Sequence, residues 1–209
     1  MVSHCKTAGK REDYVAELKA FIDVDIYGRC GLYQCAKNDM NCWKILEQNY
    51  KFYLSFENSI CSHYVTEKLF AILDYDLIPV VFGGANYSSI MPPHSYIDAL
   101  NYSSPFELSL YLKEIASNET KFNSYFKWKE NYFVISELPP FYCPICDKLA
   151  QEQRKQTPSE KRQINNSQLY LYNWWFNNPN NTCTAWKSQT TWSNYLLEVI
   201  DRGFEFIGR

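Results

Sequence analysis

Two cations stand where helices should begin, and that placement is the first chemical signal in the chain. Thr66-Glu67-Lys68 follows the strand-like run Tyr50 to Phe56 across a short loop holding Glu57, Asn58 and Tyr64. Thr66 suits an N-cap, and the free N–H groups of a first helical turn favour an anion. A lysine in that turn opposes the helix dipole, so Lys68 makes sense there if it faces a phosphate. Glu67 can accept hydrogen bonds from two neighbouring hydroxyls, as a ribose offers. Arg11, after Ala8-Gly9-Lys10, is a second cation at a helix start. If both helices follow adjacent strands, Arg11 and Lys68 converge on one crevice, and two cations suit a diphosphate that Arg grips bidentately. A plainer reading stands beside this one, with Glu67 a helix cap and Lys68 and Arg11 solvated surface charges. These residues alone leave both open.

Other chemistries are excluded more firmly. There is no Gly-x-Gly-x-x-Gly and no Walker loop, which argues against a dehydrogenase or an ATPase. Asp23-Val24-Asp25 lies in a predicted strand, so no Asp-x-Asp loop is placed to bridge a metal to a diphosphate. No metal is expected to be required. Net charge is -2, so nothing points to a polyanionic partner, and no nucleic acid is expected. Eight cysteines pose a choice between zinc and disulfides. Only Cys143-Pro-Ile-Cys146 has zinc-like spacing, without a matching second pair, and His4, His63 and His94 are scattered. Disulfides and an oxidising compartment follow. Sequons at Asn86, Asn101, Asn118, Asn165 and Asn180 agree with a lumenal location.

The elements that must position the cations alternate. Ala8 to Phe21 is predicted as a helix, Val24–Tyr27 as a short strand and Cys30 to Cys42 as a loop. Tyr50–Phe56 is a strand, Thr66–Tyr75 a helix and Ile78–Phe82 a buried strand ended by Gly83-Gly84. Helices follow over Ser104–Ile115 and Lys121–Tyr132, then a polar loop over 149–168 and an aromatic tail over Leu169–Trp192. This pattern predicts an α/β fold, a Rossmann-like parallel sheet with flanking helices. Such a fold places a strand before the first helix, and only its last residues, around Val2 and Ser3, are expected here.

Tyr50-Lys51-Phe52-Tyr53-Leu54-Ser55-Phe56-Glu57-Asn58-Ser59, Cys61 and Tyr64-Val65-Thr66-Glu67-Lys68-Leu69 resemble the signature of α1,3-fucosyltransferases, glycosyltransferase family ten. The similarity continues through Ile78–Gly83, Pro92–Ile97 and Tyr125–Lys129, and upstream through Val2–Cys5, Arg11 and Ile26–Gly31, covering roughly residues 1–148. The resemblance implies one half of a two-Rossmann (GT-B) enzyme, with residues 1–148 binding GDP-fucose and 149–209 a polar loop and aromatic tail packed on the same domain. It carries donor-binding roles to Arg11, Glu57, Asn58, Tyr64, Glu67 and Lys68. It implies a glycan or glycoprotein acceptor, no required cofactor, with manganese at most stimulatory, and a Golgi-lumenal type II membrane protein whose anchor is not in this chain.

The family's general base is a Glu of the acceptor half, so no carboxylate here takes that role and the chain is expected to be an N-terminally truncated form. The family also ties its Cys-x-x-Cys region to cysteines elsewhere, which leaves Cys143 and Cys146 to bridge to each other. Two alternatives compete with an active transferase: a catalytically inactive protein that binds GDP or GDP-fucose, and a disulfide-rich adhesion module. The Glu67-Lys68 pair with Arg11 argues against the module.

Overall fold

The computed structural model describes residues 5–35, 39–135, 142–155 and 182–188. Along the chain its elements are α1 (Arg11–Leu18), α2 (Met40–Asn49), β1 (Phe52–Phe56), β2 (Ile60–Cys61), α3 (Glu67–Phe70), β3 (Ile78–Phe82), β4 (Ile97–Asp98), α4 (Pro105–Ser117), α5 (Glu119–Ser124), α6 (Tyr142–Lys155) and β5 (Cys183–Thr184). Among the described residues, those before 132 and those over 183–188 form one compact unit, and those between 132 and 182 form another.

The first unit is built on a parallel sheet in the order β1-β3-β4, with Phe56 opposite Phe82 and Val81 opposite Asp98. This is the parallel α/β sheet that the alternating elements predict. β3 is buried along its whole length, as a central strand covered on both faces must be. Side chains alternate across a strand, so Ile78, Val80 and Phe82 join Tyr14 and Leu18 of α1 and Leu108, Leu112 and Ile115 of α4 in one core. Val81 points the other way, to Leu69, Tyr87 and Met91. Each such buried side chain contributes about 1.5–3 kcal/mol. α4 opens on a reciprocal cap, in which Ser104 Oγ accepts the Glu107 N–H and Glu107 accepts the Ser103 N–H.

Several elements differ from the sequence-based expectation. Val24–Tyr27 forms no ladder; Tyr27 makes only an isolated bridge to Tyr33, because no described strand lies beside it to supply partners. The expected strand before α1 falls on residues outside those described. α2 takes up the end of the predicted cysteine loop. Asp39 caps it by accepting the Asn41 N–H at 2.9 Å, and Cys42, Trp43 and Leu46 turn into a small core. α3 stops at Phe70, and the chain continues in i→i−3 turns, Leu73 N–H to Phe70 O and Tyr75 N–H to Ile72 O. The predicted Lys121–Tyr132 helix begins earlier as α5, capped by Asn118, and gives way to a 3₁₀ turn over Lys127–Glu130. Helix α6 takes residues 149–155 out of the predicted polar loop. Gln151 to Lys155 are polar, yet all are good helix formers. Residues 156–168, and most of the predicted aromatic tail, lie outside those described.

Three disulfides join Cys5–Cys30, Cys35–Cys42 and Cys61–Cys183. The last ties β2 to β5, whose two-residue antiparallel ladder pairs Ile60 with Thr184 and Cys61 with Cys183. Cys143 and Cys146 do not bridge to each other; both are exposed free thiols on the second unit's helix. No described helix is long and apolar enough to cross a membrane.

Candidate functional site

β1 delivers two consecutive residues, Phe56 and Glu57, to the end of the sheet, and the two cations are fastened to them. The Phe56 carbonyl accepts Arg11 Nη1 at 2.8 Å. Glu57 donates its N–H to Phe82 O at 2.9 Å, carrying the strand pairing one residue past β1. Its carboxylate, on a residue only 1 % exposed, accepts the Thr66 N–H at 2.7 Å, the Thr66 hydroxyl at 2.8 Å and Lys68 Nζ at 3.1 Å. Lys68 Nζ also donates to Thr66 Oγ1 at 2.6 Å and lies 3.8 Å from the Glu67 carboxylate. The buried Ser55 hydroxyl holds the Lys68 carbonyl at 3.1 Å. A carboxylate this deep must be paired and hydrogen-bonded to keep its charge, and here every bond it accepts comes from one three-residue stretch.

Arg11 is the first residue of α1 and is 6 % exposed. Burial pushes its guanidinium below its ordinary pKa, while Glu12 and Glu57 pull it back; an arginine stays charged in such a place. Arg11 and Lys68 line one cavity of about 620 Å³. Burial, and then Glu67, push the Tyr53 hydroxyl up to about 12, with Arg11 acting in the opposite sense. The Tyr64 hydroxyl is raised by burial and then by Glu57 and Glu67. Arg11, Tyr53, Glu57, Tyr64 and Glu67 therefore share one electrostatic neighbourhood.

The surrounding loops are held close. A Cβ on Gly9 would meet Asn58 O at 3.0 Å, and one on Gly84 would come 2.8 Å from the Cys61 carbonyl. The Gly9 N–H donates to Asn58 O at 2.8 Å, and Gly9 O accepts the Trp186 N–H at 3.2 Å. Lys10 and His63, immediately before Arg11 and Tyr64, have left-handed backbones at φ 60° and 62°. Such strain gathers at functional sites. The side-chain oxygens Asn58 Oδ1 and Tyr87 Oη are buried without a hydrogen-bond partner among the described residues.

The structure thus brings Arg11, Glu57 and Lys68 together, keeps Tyr64 and Asn58 on the same loop, and leaves Glu67 on the rim with its side chain 64 % exposed. It alters two sequence-based details. Thr66 occupies the N-cap position of α3 but makes no side-chain cap; its hydroxyl serves Glu57 and Lys68 instead. α3 is four residues long, so its dipole is slight and any anion depends on side-chain cations. Sequence reasoning also passed over Tyr53 and Tyr87. A Thr two residues before a Lys was the one signal for Thr66's second role.

An open parallel sheet with its polar groups gathered beyond the carboxyl ends of the strands defines a ligand-binding α/β domain. The chain belongs to glycosyltransferase family 10: the model described as "Glycosyltransferase family 10 (fucosyltransferase) C-term" matches residues 1–168. It is 43% identical over 178 residues to alpha-(1,3)-fucosyltransferase C of Drosophila melanogaster, covering 84% of this chain and 39% of that protein. It is 36% identical over 191 residues to glycoprotein 3-alpha-L-fucosyltransferase A of the same organism, covering 90% of this chain and 36% of that one. The chain therefore spans well under half the length of either relative. A solved α1,3-fucosyltransferase with GDP-fucose aligns at TM-score 0.49 and 24% identity over 63% of this chain and 37% of its own.

Proposed function

We propose that this chain is the donor-binding part of an α1,3-fucosyltransferase that transfers fucose from GDP-fucose to a GlcNAc-containing glycan on glycoproteins. The observation that carries this reading is the fastening of Arg11 and Lys68, from separate helices, to adjacent residues at the end of β1. In this role Lys68 and Arg11 meet the diphosphate, Glu67 accepts from the ribose hydroxyls, and Glu57, Asn58 and Tyr64 border the donor. A lysine has three protons to donate, and an entering phosphate competes with Glu57 and Thr66 for them. The acceptor hydroxyl attacks the anomeric carbon with inversion, the bond to the diphosphate breaks, and the two cations stabilise the charge left on GDP. No carboxylate of this chain is assigned the general base; residues of the acceptor half supply it. Three disulfides support an oxidising compartment, and we place the protein in the Golgi lumen.

Calorimetry with GDP and GDP-fucose tests the site. Lys68→Ala should weaken binding by about 1.5–3 kcal/mol, the scale of a charge-assisted hydrogen bond. Unchanged affinity places the donor elsewhere. Binding is proposed to need no divalent metal, so loss of most affinity in EDTA would overturn that part. The 209-residue chain alone should not fucosylate an N-glycan mixture at a useful rate, since a positioned base is worth about 10²–10⁴-fold. A fucosylated product detected by mass spectrometry, and absent with Lys68→Ala, would show a complete active site here.

A further inference from the structure

We propose that the cavity beyond the end of β4 is a second ligand site that takes a single neutral sugar ring. The cavity encloses about 330 Å³, within the range of small-ligand pockets, and none of the donor-site residues lines it. Four of its walls are rings, His94, Tyr96, Tyr102 and Tyr125, and its polar groups include the Asp98 carboxylate, the Asn101 amide and the Ser88 hydroxyl, with the tyrosine hydroxyls. A flat aromatic wall beside a carboxylate and an amide is the chemistry that recognises a pyranose, whose apolar face stacks while its hydroxyls donate and accept.

The walls are fixed from behind. His94 stacks on Tyr125 with ring centres 4.1 Å apart and shares a hydrogen bond with Ser124 at 2.9 Å. Tyr125 is tied to Tyr111 through their hydroxyls at 2.6 Å, and Tyr111 packs on Tyr102. Asp98 Oδ1 accepts the Leu100 N–H at 3.0 Å, which orients the carboxylate. Preorganisation of this kind marks a binding site more than a chance dent.

Backbone strain points to the same place. Three described non-glycine residues have left-handed backbones; Lys10 and His63 flank the donor crevice, and the third is His94, at φ 56°. Burial raises the Asp98 pKa, and among the described residues no cation pairs with it. An organic cation would satisfy the carboxylate alone and leave Asn101 and the Tyr96 and Tyr102 hydroxyls unused. A polyhydroxylated neutral ring uses them all. This inference goes beyond the donor reading and does not depend on it.

Saturation-transfer NMR on the full chain, with methyl pyranosides of GlcNAc, galactose, fucose and mannose and with tetramethylammonium as the cation arm, tests the proposal. At least one pyranoside should bind, saturating GDP should not displace it, and Asp98→Asn should weaken it about tenfold, the scale of one hydrogen bond to a charged group. Tyr102→Phe, which keeps the ring, provides a second reading, and unchanged melting midpoints show that both variants fold. The proposal is overturned if no pyranoside binds at millimolar concentration, if GDP displaces the sugar, if both variants bind like the parent, or if only the ammonium ion binds.

Discussion

The loop leaving β1 and the loop leaving β4 hold polar groups below the surface by opposite means. At β1 a fully buried carboxylate is saturated by Thr66 and Lys68, so charge is met by charge within one stretch of chain. At β4 the Asp98 carboxylate has one backbone donor and a wall of rings. The first arrangement is tightly coupled, and losing one member strands the others. The second tolerates change, because its carboxylate supports nothing beyond one N–H. Breaking a network and trimming a lining should therefore differ sharply in cost.

Glu57→Ala is the strongest test, since it takes the acceptor from the Thr66 N–H and the buried counter-charge from Lys68, which keeps only Thr66 Oγ1 and the exposed Glu67. It should cost about 3 kcal/mol in urea unfolding, with Glu57→Gln costing less because the amide oxygen still accepts from Thr66. A loss from Glu57→Ala no larger than a surface substitution would remove the contrast. Gly84→Ala comes next. Its Cβ would press on the Cys61 backbone, which cannot yield as a side-chain tip can, and about 1–3 kcal/mol should be lost. Tyr87→Phe should be neutral or stabilising by up to about 1 kcal/mol, because the hydroxyl it removes is buried and unsatisfied. A clear destabilisation would mean that the hydroxyl has a partner.

The smallest effects lie in the pH dependence and have opposite signs. Burial works against Glu12, but the Thr7 N–H and hydroxyl hold its carboxyl below the ordinary value. Its stabilising effect is present above the usual carboxylate range and fades as pH falls through the lowered value, so Glu12→Gln should flatten the acid limb of the stability curve. Asp98 is raised by burial, so its protonated form favours folding and stability declines as pH rises through the raised value. Asp98→Asn should remove that decline and be no less stable than the parent at neutral pH.

Much of the fold was legible because its signals are local. Ile78–Phe82 is a β-branched and aromatic run between turn residues, and its burial follows from composition alone. Arg11 at a helix start could be read from Ala8-Gly9-Lys10 and the apolar spacing of Tyr14 and Leu18. Helix α2 was missed because the surrounding cysteines drew the reading toward a loop, although Asp39 with Cys42, Trp43 and Leu46 carried a cap and an apolar face. The pairing of Glu57 with Lys68 was not legible. It depends on how a loop folds back across the end of a strand, and no spacing rule relates a residue leaving a strand to one in the next helix. Asp98 and Tyr102 remained invisible as a pair with His94 and Tyr125 for the same reason. Their meeting depends on where α5 ends relative to β4.

The Cys61–Cys183 bridge imposes an order of events on synthesis. The two cysteines are 122 residues apart, so at about 5–20 residues per second Cys61 leaves the ribosome roughly 6–24 s before its partner. Through that interval the loop after β1 carries an open thiol while Cys30, Cys35 and Cys42 are already available as wrong partners. Trp186, which lies against Tyr14 and donates to Gly9 O, arrives later still. The piece of chain that fastens the loop after β1 thus trails it by that interval, and a growing chain carries the loop half-finished meanwhile, with mispairing held off by thiol–disulfide exchange.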